Sequence, residues 1–239
     1  MTIRTLLLLA LAGWAAAQDG APTDGLIGHW KLDEASGDAA DASGNGNGGK
    51  LQGDAKPSEE APRGFVNPRS LAFDGKSARV NVGDRASLTV RDALTLAAWV
   101  RPTANSEPVG IILNKEGEYE LARSENGRFQ FAVASSQPGW DFIDTGRELP
   151  LNDWTHVAVT YSSDGKKAKA YVDGKEVFST DAFGGIGDTH PESNELWIGG
   201  RSKDGGCEYF AGRIAEVRIY DRALSAEEIR KVHASRLKK

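Results

Sequence analysis

The chain has 239 residues, with 29 Lys and Arg against 34 Asp and Glu, a formal charge of -5, 39% hydrophobic residues, 28 Gly and one Cys. This length and composition fit one large globular domain or two small ones and exclude collagen-like, disordered and multi-span membrane classes. The acidic balance, with no long basic run, argues against a nucleic-acid partner, because phosphate affinity comes from clusters of Lys and Arg, and the lone Cys207 excludes an intramolecular disulfide.

In chain order, Arg4, the apolar run Leu6 to Ala12 and the small residues Ala15-Ala16-Ala17 before Gln18 have the pattern of a secretory signal peptide cleaved after Ala17. The apolar run falls short of the roughly 20 residues that span a bilayer. The expectation is therefore a secreted, periplasmic or cell-envelope protein without membrane insertion after cleavage: residues 1–17 as leader, 18–25 as a short linker and 26–239 as a single domain. Within that domain, short alternating or apolar segments separated by Gly, Asn, Asp and Pro predict strands over Leu26 to Leu32, Ser70 to Phe73, Arg79 to Val82, Leu94 to Arg101, Gly110 to Asn114 and Tyr119 to Arg123. Further strands are predicted over Arg128 to Ala134, Asp141 to Thr145, Trp154 to Tyr161, Lys167 to Val172, Glu195 to Gly199 and Arg213 to Tyr220. Leu94, Leu96, Ala98 and Val100 share one strand face, and Phe129, Phe131 and Val133 share another. Asp74-Gly75, Asn126-Gly127, Asp164-Gly165 and Asp173-Gly174 are tight-turn signals. Ser225-Ala226-Glu227-Glu228 is a capping box, and Ile229 and Val232 continue it as the apolar stripe of one C-terminal helix. No linker or repeat interrupts the chain after residue 25, so the fold class is all-β, a two-sheet antiparallel sandwich with a short C-terminal helix.

Three groups of residues carry candidate chemistry. The Gly-rich loop with Asp33, Glu34, Asp38, Asp41, Ser43, Asn45 and Asn47 offers hard oxygen donors of the kind calcium takes, although Asx hydrogen bonds would equally make it a surface turn. Trp140 follows Gln137-Pro138-Gly139 and precedes Asp141, an arrangement that can present a ring face and a carboxylate to a sugar, with Tyr119, Trp197 and Tyr209 extending the platform. Trp30, Trp99 and Trp154 read as core. Glu116, Glu118 and Glu120 are the nearest approach to an acid pair, and with Lys115 and Arg123 beside them they read as a solvated hairpin, so no catalytic residue is assigned. His29, His156, His190 and His233 show no metal spacing, and Cys207 reads as an isolated thiol.

Seven segments in order resemble one family: Gly28-His29-Trp30-Lys31-Leu32-Asp33-Glu34, Asp41-Ala42-Ser43-Gly44-Asn45-Gly46-Asn47, Ser70 to Gly75, Leu96 to Pro102, Trp154 to Tyr161, Ala170 to Gly174 and Gly212 to Tyr220. They are similar to the LamG-like jelly-roll domain of the concanavalin A-like lectin and glucanase superfamily and cover nearly everything from Leu26 to Lys231. The resemblance implies a jelly-roll sandwich, frequent binding of carbohydrate or glycoprotein, and often a structural calcium ion. Carried onto this sequence, it implies Asp33, Asp41, Asn45 and Asn47 as calcium ligands, with Glu216 of the last strand closing the site. Many members have Asp before that Glu, and this chain has Ala215. The expected function is an exported, non-catalytic binding module for a polysaccharide or glycan with structural Ca2+. The alternatives are an adhesive, protein-binding surface domain and, third, a glycoside hydrolase.

Overall fold

The computed structural model describes residues 20–136, 139–201 and 208–235. The leader pattern Met1 to Ala17 and Cys207 lie outside the described residues. The strands are β1 (Leu26–Trp30), β2 (Lys50–Gln52), β3 (Lys56–Ser58), β4 (Ser70–Asp74), β5 (Arg79–Gly83), β6 (Ala93–Pro102), β7 (Val109–Lys115), β8 (Tyr119–Ser124), β9 (Arg128–Val133), β10 (Ile143–Glu148), β11 (Thr155–Ser162), β12 (Lys167–Val172), β13 (Lys175–Asp181), β14 (Leu196–Ile198) and β15 (Ala211–Tyr220). The helix α1 (Ala226–Ala234) follows.

Two antiparallel sheets form the sandwich. One runs β13-β12-β11-β6-β15-β4-β3, with β1 also paired to β15, and the other runs β10-β9-β8-β7-β14-β5-β2. Strand β15 changes partner along its length. Ala211 to Ile214 pair with β4, the register shifts between Ala215 and Arg218, and Val217 to Tyr220 pair with β1. Glu216 sits at that irregularity with φ 53.

The predicted faces meet between the sheets. Leu94, Leu96, Ala98 and Val100 from β6 and Phe129, Phe131 and Val133 from β9 all belong to one buried cluster, in which the rings of Phe131 and Phe178 pack edge to face at 6.4 Å. Trp30 is fully buried and donates from Nε1 to the Asn47 carbonyl at 2.7 Å, and Trp99 packs edge-on against Phe65. Deleting a ring such as Phe131 from a core of this kind costs about 3–5 kcal/mol.

Three strands escape the period reading. β2 and β3 have three residues each, too few for alternation to register, and β3 contains Pro57. β13 has only exposed or half-buried residues because it is an edge. The turn before it was legible: Asp173 and Gly174 have φ 48 and 74, the two positive angles of a tight hairpin turn. At the C-terminus the capping box forms as expected, with Ser225 Oγ accepting from Glu228 N and Glu228 Oε2 accepting from Ser225 N. Ile229 and Val232 of α1 pack on Ala97, Ala158, Tyr171 and Tyr220, on the outer face of the eight-stranded sheet. That leaves the outer face of the seven-stranded sheet without a helix over it among the described residues.

Candidate ligand-binding face

The alternation that buries one face of the seven-stranded sheet turns a polar row to the other. In β5 Val80 and Val82 enter the core and Asn81 faces out; in β14 Leu196 and Ile198 enter and Trp197 faces out. In β7 and β8, Leu113, Tyr119 and Leu121 enter, so Asn114 and Glu120 face out. Cross-strand register then lines these up: Lys50 opposite Asn81, Asn81 opposite Trp197, Trp197 opposite Asn114, Asn114 opposite Glu120. At about 4.8 Å per strand the row from Lys50 to Glu120 is about 19 Å long.

Four polar atoms along this row, Asn81 Oδ1, Trp197 Nε1, Asn114 Oδ1 and Glu120 Oε1, are buried and have no hydrogen-bond partner among the described residues. Folded proteins pair nearly all such atoms. These two amide oxygens, the indole N–H and the carboxyl oxygen lie in consecutive strands and are closed off from solvent, Asn114 and Glu120 completely and Trp197 nearly so. At its β2 end a cleft of about 230 Å3 is lined by Gly48, Lys50, Gln52, Asn81, Gly83 and Arg85. Arg79 backs Trp197, its guanidinium carbon 5.1 Å from that ring centroid and 5.6 Å from that of Tyr209. Its Nε donates to Gln52 Oε1 at 3.1 Å and its Nη1 to the Tyr209 hydroxyl.

At the other end one guanidinium serves several carboxyl groups. Arg201 contacts Glu120 Oε2 and lies 2.9 Å from Glu208 Oε2, while Glu116 is held by Asn114 Nδ2 at 2.8 Å. Complete burial pushes Glu120 up to about 8; Arg201 opposes that shift, and Glu208 and Glu116 add to it. Burial also raises Glu208. For Arg201 burial favours the neutral form, but Glu120, Glu116 and Glu208 outweigh it and hold the guanidinium charged. A single cation cannot neutralise all its acidic neighbours in a buried setting, so the most deeply buried carboxyl, Glu120, keeps its proton at neutral pH.

Of the residues expected to bind ligand, Trp197 lies in the row and Tyr209 beside it. Tyr119 does not belong there. It points into the core, is fully buried and donates from its hydroxyl to the Leu88 carbonyl at 2.7 Å. Half-buried Trp140 and exposed Asp141 precede β10, an edge strand four places from β14, and are not part of the row. The acidic hairpin is corrected as well: Glu116, Glu118 and Glu120 are buried, not solvated, and Glu118 pairs with Lys115 at 3.0 Å and Arg91 at 3.2 Å. Sequence reasoning missed Asn81, Asn114, Arg79, Arg201 and Glu208. The available signal was polar residues alternating with core residues in β5, β7 and β8.

Of the residues implied for calcium, Asp41, Asn45 and Asn47 gather on β1, while Asp33 and Glu216 are bonded elsewhere. Asp41 Oδ1 accepts from His29 N at 3.1 Å and Ser43 N at 2.9 Å, and Oδ2 accepts from Asn47 N at 2.9 Å. Burial raises its pKa, but the hydrogen bonds from Ser43, Asn47 and His29 win and hold it below the usual range. Asn45 Nδ2 donates to the Leu26 and Ile27 carbonyls, and Asn47 Nδ2 to that of Ile27 at 2.8 Å while its Oδ1 accepts from Ser87. Asp33 accepts from Asn67 Nδ2 at 2.9 Å. Glu216 Oε2 lies 3.0 Å from both His29 Nε2 and Arg218 Nη2. Calcium needs 6–8 converging oxygens, and among the described residues no group of three or more His, Cys, Asp or Glu could hold a metal ion. The loop of Asp41, Asn45 and Asn47 is an Asx-stabilised turn clamped onto β1.

The sequence profile of the concanavalin A-like lectin/glucanases superfamily matches residues 74–230. No curated protein sequence matches the chain. Among solved structures, domain 4 of AbnA, a GH43 extracellular arabinanase from Geobacillus stearothermophilus in complex with arabinotriose, is similar with TM-score 0.63 and 20% identity, over 87% of this chain and 97% of that one. The binding domain of Paraclostridial Mosquitocidal Protein 1 is similar with TM-score 0.68 and 15% identity, over 88% of this chain and 52% of that one. A Trypanosoma rangeli sialidase bound to a difluorinated sugar acid gives TM-score 0.65 and 20% identity, over 90% of this chain and 33% of that one. The chain thus spans about half of the second structure and a third of the third, and at these identities the likeness is one of fold.

Proposed function

The chain belongs to the concanavalin A-like lectin/glucanase superfamily, and from that membership and its polar sheet face we propose that it is a non-catalytic module that binds a polysaccharide or the glycan of a glycoprotein. The observation that carries this reading is the row of unpartnered polar atoms across β5, β14, β7 and β8. Sugar hydroxyls both donate and accept, so a glycan segment that reached this closed layer would satisfy the Asn81 and Asn114 carbonyl oxygens and the Trp197 N–H together. The carboxyl groups support binding over hydrolysis. A retaining glycosidase needs an ionised nucleophile opposite an acid, whereas Glu120 is held against Arg201, and Glu118 between Lys115 and Arg91. The domain of the extracellular arabinanase supports a glycan partner by analogy of fold.

We place the module outside the cytoplasm on the Met1 to Ala17 pattern; among the described residues no helix is long and apolar enough to cross a membrane. A second reading, adhesion to protein, rests on the exposed aromatic side chains Phe142 and Phe183. A glycan array followed by calorimetric titration separates the two. The glycan reading expects Asn81→Ala and Asn114→Ala each to weaken binding about tenfold, with Phe142→Ala silent. A Phe142→Ala loss with intact Asn81→Ala binding would favour the protein surface.

A further inference from the structure

We propose that the glycan is acidic and that its anionic group, a uronate carboxylate or a sulfate ester, sits in the cleft at the β2–β5 end of the row against Lys50 and Arg85, next to Arg79, which is bonded to the lining Gln52. This inference rests on the glycan reading above and adds the ligand's charge and orientation. Arg69, Arg91, Arg101, Arg128, Arg201, Arg213, Arg218 and Arg222 each face a carboxylate of the described chain, whereas Arg63, Arg123, Arg147 and Arg230 are not within ion-pair distance of one. The basic residues at the cleft belong to the second group. Lys50, Arg79 and Arg85 make no ion pair with any described carboxylate, including Asp84 beside Arg85, although Lys50 and Arg85 line one cleft and Arg79 backs the adjoining Trp197.

Arg79 is the most constrained of the three. Stacked by Trp197 and Tyr209 and anchored through Nε and Nη1, it keeps Nη2 without a partner among the described residues. A guanidinium held in a fixed plane with donors to spare is suited to a planar carboxylate or a sulfate, because the geometry is set before the ligand arrives. Lys50 and Arg85 are exposed and add charge at the rim. The far end of the row is the opposite in character, with Glu116, Glu120 and Glu208 gathered round Arg201. An anion is therefore favoured at one end and disfavoured at the other, which fixes the direction of the bound chain. Bulk electrostatics would not produce this, since the protein's net charge of -5 repels a polyanion.

The test uses the protein without its leader. Binding is titrated at about 0.15 M salt, where charges beyond about 8 Å are screened, against polygalacturonate and its carboxyl-reduced form, and against heparin and its desulfated form. The expected result is tight binding of one acidic glycan and a loss of about tenfold or more when its anionic groups are removed. Loss on carboxyl reduction identifies a uronate, and loss on desulfation a sulfate ester. Lys50→Gln/Arg85→Gln, both surface changes with an unaltered melting temperature, should reproduce that loss, and Arg79→Lys should fail to restore Arg79 binding despite keeping the charge. Equal binding of the acidic and neutralised forms would overturn the inference while leaving the glycan reading intact. Acidic binding that survives Lys50→Gln/Arg85→Gln would move the anion elsewhere and overturn the site. Absence of binding to these and to a neutral glycan array would overturn the glycan reading itself.

Discussion

At Glu120, burial with help from Glu208 and Glu116 outweighs the attraction of Arg201 and lifts the carboxyl from its ordinary 4.5 to about 8. Because the native state binds this proton more tightly than the unfolded chain, the associated stability is fully present below about pH 4.5 and is lost as pH rises towards about 8. Glu120→Gln keeps the neutral shape and cannot ionise. Its melting temperature should match wild type near pH 5 and exceed it increasingly up to about pH 9, a difference that thermal unfolding across pH reads directly. A difference that stays flat with pH would mean Glu120 is ionised in the native state. Asp41 behaves in the opposite sense, accepting three backbone N–H groups as a carboxylate. Asp41→Ala leaves those donors to water or to nothing and should cost about 1–3 kcal/mol in urea unfolding, equally in EDTA and in millimolar calcium. A cost that appears only with calcium would restore a metal to this loop.

The helix α1 is held by its cap, by Ile229 and Val232, and by an imidazole layer. His233 stacks on Trp99 with centroids 5.1 Å apart, and buried His156 lies 5.4 Å from each of those rings. Burial, then the neighbouring His233 and Arg218, lower His156 well below 6.5. Burial lowers His233 too, with Asp173 partly opposing it. Both rings are therefore neutral in the folded state, and protonation favours the unfolded chain. Stability is full above about pH 6.5 and declines below it. The helix should show faster amide exchange at pH 5 than at pH 7 after correction for the intrinsic rate, and His156→Phe, which stays aromatic but cannot protonate, should reduce that difference. Unchanged protection of α1 at pH 5 would show that the docking does not depend on neutral histidines. At the same scale, Ser225→Ala removes the capping hydroxyl, for a loss of about 1 kcal/mol.

For the molecule as a whole, β15 ties the ends together: it pairs with β1, β4 and β6 and sends Ile214, Val217 and Ile219 into the core. The first and last strands being neighbours makes the fold an all-or-none unit. Unfolding followed by tryptophan fluorescence and by circular dichroism should give coincident single transitions, and a chain ending at Phe210 should show no cooperative transition. A truncated chain that still melts cooperatively would show that the sandwich closes without β15. Among the described residues, the same architecture leaves the seven-stranded sheet's outer face free of the helix that covers the other sheet, where the polar row of Asn81, Trp197, Asn114 and Glu120 lies.

Some of this was legible in the residues alone. The alternation of Leu94, Leu96, Ala98 and Val100, the Asp173-Gly174 turn and the Ser225 capping box act over a few bonds, so local spacing is sufficient to specify them. The family resemblance supplied the order of the pieces and with it the sandwich. Which of two alternating residues faces the core is a different matter: Tyr119 and Glu120 are adjacent, and the tyrosine is the one buried between the sheets, with the carboxyl on the outer face. Likewise Asn81, Trp197, Asn114 and Glu120 come from four strands scattered along the chain, and only the hydrogen-bonded register brings them into a row. The sequence by itself determined the local elements, because backbone preference and period are short-range. The tertiary structure alone decided the polar row, because strand register and desolvation depend on neighbours that are remote in sequence.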